Sequence, residues 1–151
     1  MQGSPNNAGP KARCLVIEDS QFDQQMIERA MASARVHAEI AYADTLEKAC
    51  NALSKNSFAL IVMDNKLPDG NGADFAQQLA LDPGFRGVPI VIVSGWPSPF
   101  MWDKAKAAGL HIIDKNDEPQ PKLRDYFKRK LRQSRRVGST PSAEYLSKYA
   151  H

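Results

Sequence analysis

Residues 58–72 read FALIVMDNKLPDGNG, an apolar run that ends on a carboxylate and passes into a turn. Phe58 to Met63 carries no polar side chain and is rich in branched ones, the pattern of a strand buried on both faces of a parallel sheet. Asp64 closes the run, and LPDGNG is dense in turn residues. Two other stretches share this build, Arg13 to Ile17 upstream and Pro89 to Val93 downstream. Weaker strands are expected at His37 to Tyr42, an edge strand with Ala38, Ile40 and Tyr42 on one face, and at Leu110 to Ile113.

Helical periodicity fills the gaps. Ser20 caps a helix over Gln21 to Ala34, whose Phe22, Met26, Ile27, Ala30 and Met31 should cover one sheet face. Asp44 or Thr45 opens a second helix through Leu46, Ala49 and Leu53. A third lies around Ala73 to Leu81, a Pro-interrupted fourth runs to Ala108, and the last spans about Pro119 to Arg135 with Leu123, Tyr126, Phe127 and Leu131 inward. Five strands alternating with five helices predict an α/β fold, a doubly wound parallel sheet with right-handed crossovers. In such sheets ligands collect at the carboxyl ends of the strands.

The 151 residues suit one domain, expected over 12–136 between a flexible tail at 1–11 and a polar tail at 137–151 in which Tyr145, Leu146 and Tyr149 have helical spacing. No apolar run approaches the roughly 20 residues of a membrane span, and MQGSPNNAGPKAR has no apolar core for a secretory signal. A cytoplasmic protein is expected, and Cys14 and Cys50, set among apolar neighbours, read as buried small hydrophobes. The net charge of +3 is split: residues 122–136 hold eight Lys or Arg against one acid, so the remainder carries −4. That basic helix could touch nucleic acid weakly, but a dimer contact or protein docking is the preferred reading.

The chemistry-bearing residues fall where apolar strands end: Glu18 and Asp19, Asp64, Ser94, and Lys115 after the fifth strand. Three carboxylates brought together repel one another unless a cation intervenes, and a hard, oxygen-preferring ion such as Mg²⁺ or Mn²⁺ fits. One carboxylate could then attack a phosphoryl donor. Asp64 is the candidate because it ends the central strand; Lys115 would pair with one phosphoryl oxygen, Ser94 would hydrogen-bond another, and Gly95 leaves space. Plainer readings make Asp64 a strand end before a turn, Ser94 a helix cap and Lys115 a solvated strand end. Trp96, Phe100, Met101 and Trp102 read as cover for the core edge or as a partner-binding surface, and His37, His111 and His151 are too scattered for a metal site.

Over about residues 12–135 the chain resembles the receiver domain of bacterial two-component response regulators, through VIEDS, LIVMDNKLPDGNG, VIVSG and HIIDK. The intervals Asp19 to Asp64, Asp64 to Ser94 and Ser94 to Lys115, of 45, 30 and 21 residues, are similar to that family's. The resemblance implies a flavodoxin-like strand order 2-1-3-4-5. It implies direct metal ligation by Asp19, Asp64 and the backbone carbonyl of Lys66, with Glu18 acting through bound water. It also implies a stand-alone receiver that takes its phosphoryl group from a sensor histidine kinase or phosphotransfer protein and signals through protein contacts, with a homodimer possible and no membrane. Asn116 stands where the family has a cis proline, and Ile112 where it has a rotating aromatic, so the resemblance leaves open whether its usual switch coupling holds here. Lys66 and Trp96, two residues beyond Asp64 and Ser94, are expected to slow phosphate loss. Two rivals remain: a receiver-like interaction module independent of phosphorylation, and an Asp-nucleophile phosphatase, which lacks a second Asp where Lys66 stands.

Overall fold

The computed structural model describes residues 11–133. Strands β1 (Ala12–Ile17), β2 (Ala38–Ala43), β3 (Leu60–Asp64), β6 (Ile90–Ser94) and β7 (His111–Asp114) form one parallel sheet in the order β2-β1-β3-β6-β7. This is the expected doubly wound order. The labels differ because a small antiparallel hairpin, β4 (Lys66–Leu67) and β5 (Gly70–Asn71), occupies the segment anticipated as a simple turn. Helices α1 (Gln21–Ala34), α2 (Leu46–Lys55), α3 (Gly72–Leu81) and α4 (Pro99–Ala108) make the four crossovers, and α5 (Pro119–Gln133) follows the last strand. None of the described helices is long and apolar enough to cross a membrane.

Alternation along the strands sorts the core into two layers. Leu15, Ile17, Ile61, Met63 and Ile92 face Leu46, Leu53, Phe75 and Leu79 of α2 and α3. Cys14, Val16, Leu60, Val62, Val91 and Val93 face Met26, Ile27 and Ala30 of α1 and Leu123, Tyr126 and Phe127 of α5. Each fully buried Leu, Ile or Phe contributes about 1.5–3 kcal/mol relative to exposure. Both cysteines are buried and free, and burial pushes each thiol up to about 12.

Several expectations are corrected. Phe22 does not cover the sheet: in the first turn of α1, one turn before the first buried residue, Met26, it stays 76 % exposed. Helix α4 is not interrupted by proline: Pro99 begins it, where a missing N–H costs nothing, and Ser98 caps it by accepting from Met101 N at 3.1 Å. Ser94 therefore is not the helix cap. Nor do the aromatics around this helix seal the core, for Trp96 is 88 % exposed and Phe100 and Trp102 are also exposed, while Met101 alone packs partly inward. The tails anticipated at 1–11 and 137–151 lie outside the described residues except for Lys11.

Candidate functional site: an acidic pocket at the carboxyl edge

Strand register assembles the site. Ile17 pairs with Met63, so Glu18, the next residue, leaves the sheet beside Asp64. Asp64 pairs with Val93 and Ser94 with Asp114, so Ser94 and Lys115 emerge along the same edge. Glu18, Asp64 and Ser94 are the buried polar side chains among the described residues, Tyr126 and the cysteines apart. Buried polar groups are costly unless paired, so three at one edge mark a place where the chain sacrifices stability.

Lys115 does the pairing. Its Nζ donates to Asp23 Oδ2 at 2.7 Å, Asp64 Oδ1 at 3.1 Å and Glu18 Oε1 at 3.2 Å. Burial alone would lower its pKa, but the bond to Asp23 and the charges of Glu18 and Asp64 outweigh that and hold the ammonium protonated. Burial, and then the charge of Asp64, push Glu18 up to about 7 despite Lys115. Asp64 is raised too, by burial first, with Lys115 opposing and Asp19 adding to it. One ammonium does not neutralise this pocket.

Carboxylate oxygens of Glu18, Asp19 and Asp64 lie within 4.8 Å of one another, with Asp19 exposed at the mouth. Such an all-oxygen, excess-negative donor set fits a hard divalent cation. Lys66, whose carbonyl was expected to join them, sits exposed on the β4–β5 hairpin two residues beyond Asp64. Around Ser94, Oγ accepts from Trp96 N at 3.4 Å, and a Cβ built at Gly95 would meet nothing within 4 Å, so the mouth is open there.

The Lys115 corner holds together without proline. Lys115 N donates to Ser94 O at 2.8 Å, Asn116 N to Asp114 Oδ1 at 2.8 Å, and the Asn116 side-chain amide to Gly95 O. No cis peptide occurs among the described residues. Ile112 is buried in the core, and His111 instead stacks on Tyr126 with centroids 5.0 Å apart. Sequence reading missed Asp23 because an acid in a helix's first turn is ordinarily a cap or dipole partner. Its one signal was position, three residues past the Ser20 cap and hence at the same helix end as Glu18 and Asp19.

A family model described as the response regulator receiver domain matches residues 14–128. Among solved structures, a response regulator receiver domain from Rhodospirillum rubrum superposes with a TM-score of 0.71 at 23 % identity, covering 87 % of this chain and 100 % of that one. The chemotaxis response regulator CheY4 of Vibrio cholerae gives 0.67 at 24 %, covering 81 % and 100 %. The Mn²⁺-bound form of response regulator Rcp1 gives 0.72 at 15 %, covering 88 % and 100 %. At these identities the superpositions speak for the fold, and the family match for descent. By that match, this chain belongs to the response regulator receiver domain family.

Proposed function

We propose that the chain is a phosphoacceptor switch in which Asp64 takes a phosphoryl group from a sensor histidine kinase or phosphotransfer protein and passes the signal on through protein contacts. The observation that carries this reading is the setting of Asp64: a buried carboxylate grouped with the oxygens of Glu18 and Asp19 and bonded at 3.1 Å by the Lys115 ammonium. A carboxylate oxygen of Asp64 forms the new O–P bond while the P–N bond of the phosphohistidine breaks, its electron pair leaving with the imidazole. Lys115 receives one phosphoryl oxygen and Ser94 Oγ donates to another.

Glu18, Asp19 and Asp64, with the Lys66 carbonyl, would hold Mg²⁺ or Mn²⁺; when bound, the ion supplies positive charge against the phosphoryl oxygens. The chain acts as a substrate of its kinase and not as a turnover enzyme, since Lys66 stands where a phosphatase of this type needs an acid/base. A cytoplasmic setting follows from a kinase donor. The second reading, an interaction module indifferent to phosphorylation, draws support from Ile112, which fills the core where a rotating aromatic would sit.

Incubation with Mg²⁺ and acetyl phosphate, followed by intact-mass measurement, separates these readings. The wild type should gain ~80 Da and Asp64→Asn should not. No gain on the wild type overturns the proposal, and a gain on Asp64→Asn moves the acceptor elsewhere.

A further inference from the structure

We propose that Asp23 is a positioning residue that holds the Lys115 ammonium and competes for it with the incoming phosphoryl oxygen. The inference rests on Asp64 being the acceptor. An ammonium has three hydrogens, and those of Lys115 are already spent on Asp23, Asp64 and Glu18. A phosphoryl oxygen gains Lys115 only if one of these lets go. Glu18 and Asp64 belong to the cation group with Asp19, whereas Asp23 lies outside it and makes the shortest of the three bonds, at 2.7 Å.

Local structure frees Asp23 for this task. It is the third residue of α1, and its own N–H is tied to Ser20 Oγ at 3.3 Å. In a capping box the acid at this position would bond back to the cap's N–H. Here the Ser20 N–H is taken by Glu18 Oε2 at 3.1 Å, so the Asp23 carboxylate turns to Lys115 instead. On the other side, the Lys115 backbone is fixed to Ser94 O and its neighbour Asn116 to Gly95 O. The ammonium therefore moves only by its side chain, and Asp23 decides where it rests. Both side chains are about four-fifths buried, at 18 % and 20 % exposure, so the pair is screened less than a surface ion pair.

The test uses the full chain with Mg²⁺ and acetyl phosphate, following the rate of ~80 Da gain against donor concentration. Asp23→Asn should lower the half-saturating donor concentration about fivefold, the net scale of one ordinary hydrogen bond, and leave the limiting rate within about twofold. Asp23→Glu should restore the wild-type value. Asp23→Asn also removes a negative charge, which would attract any anionic donor; in a Lys115→Gln background that general effect survives, while competition for Lys115 disappears. Loss of the Asp23→Asn effect in that background supports the proposal, and its persistence overturns it. Asp23→Ser, which keeps a first-turn polar residue, repeats the comparison should Asp23→Asn fold poorly. An unchanged half-saturating concentration in a phosphorylated protein overturns this inference alone, whereas a wild type that takes up no phosphoryl group overturns the reading of Asp64 beneath it.

Discussion

A methyl group at Gly72 would lie 1.9 Å from the carbonyl oxygen of Asp64, closer than any real contact, while one at Gly95 would meet nothing within 4 Å. Gly72 is thus needed where α3 starts directly against Asp64: its N–H donates to Asn65 O at 2.7 Å, and Asn65 Oδ1 accepts from Ala73 N at 3.0 Å. Gly72→Ala should cost about 1–3 kcal/mol by overpacking, and Gly95→Ala should stay within about 0.5 kcal/mol, both read from urea unfolding. Equal losses at the two positions would contradict the geometry. In the sequence the two glycines look alike, each one residue of a turn-rich loop. The acids were easier to read, because Glu18, Asp19 and Asp64 each follow an apolar run that can only be a buried strand. Asp23 and Asn116 were not legible as site residues, since their partners, Lys115 and the Gly95 carbonyl, lie 92 and 21 residues away and depend on register.

Elements of regular periodicity were legible to within a residue or two at most ends, and what escaped was how neighbouring elements are tied. The β4–β5 hairpin shows this. LPDGNG reads as a turn, but Asp69 at its tip reaches α2, accepting from Leu46 N at 2.8 Å and Glu47 N at 3.0 Å. Thr45 adds a local cap by accepting from Lys48 N at 3.0 Å. The start of α2 is thus satisfied by a side chain 22 to 23 residues downstream, which couples the loop after Asp64 to a helix on the same sheet face. Asp69→Ala leaves two first-turn N–H groups without their carboxylate and should destabilise the fold by about 1–2 kcal/mol. Thr45→Ala should cost about 1 kcal/mol by a separate route, so a double variant close to additive, measured by thermal or urea unfolding, would show that the caps act independently. A destabilisation below about 0.3 kcal/mol for Asp69→Ala would mean that water replaces it fully.

At the scale of the whole molecule, the sheet joins two apolar layers and delivers its unneutralised charge to one edge. The doubly wound order was legible from strict strand and helix alternation. What surrounds the edge was not, because that depends on burial: Ile112 is locked in the core, whereas Trp96, Phe100 and Trp102, on the segment after Ser94, are exposed. The charge imbalance bears on global stability. With one ammonium among Glu18, Asp23 and Asp64, and Asp19 at the mouth, the folded state holds carboxylates that repel each other, whereas in the unfolded chain they are dispersed. A divalent cation that binds only the folded state should therefore stabilise the whole domain, by about 2.7 kcal/mol at a concentration 100 times its dissociation constant. Mg²⁺ should raise the melting temperature of the wild type, and EDTA should reverse the rise. Na⁺ at matched ionic strength should not reproduce it, because screening acts weakly on buried groups. Asp19→Asn removes one of the three carboxylates proposed to hold the cation without disturbing the Lys115 bonds, so it should keep its folded state and lose most of the Mg²⁺ increment. An increment of full size in Asp19→Asn would place the cation away from this edge.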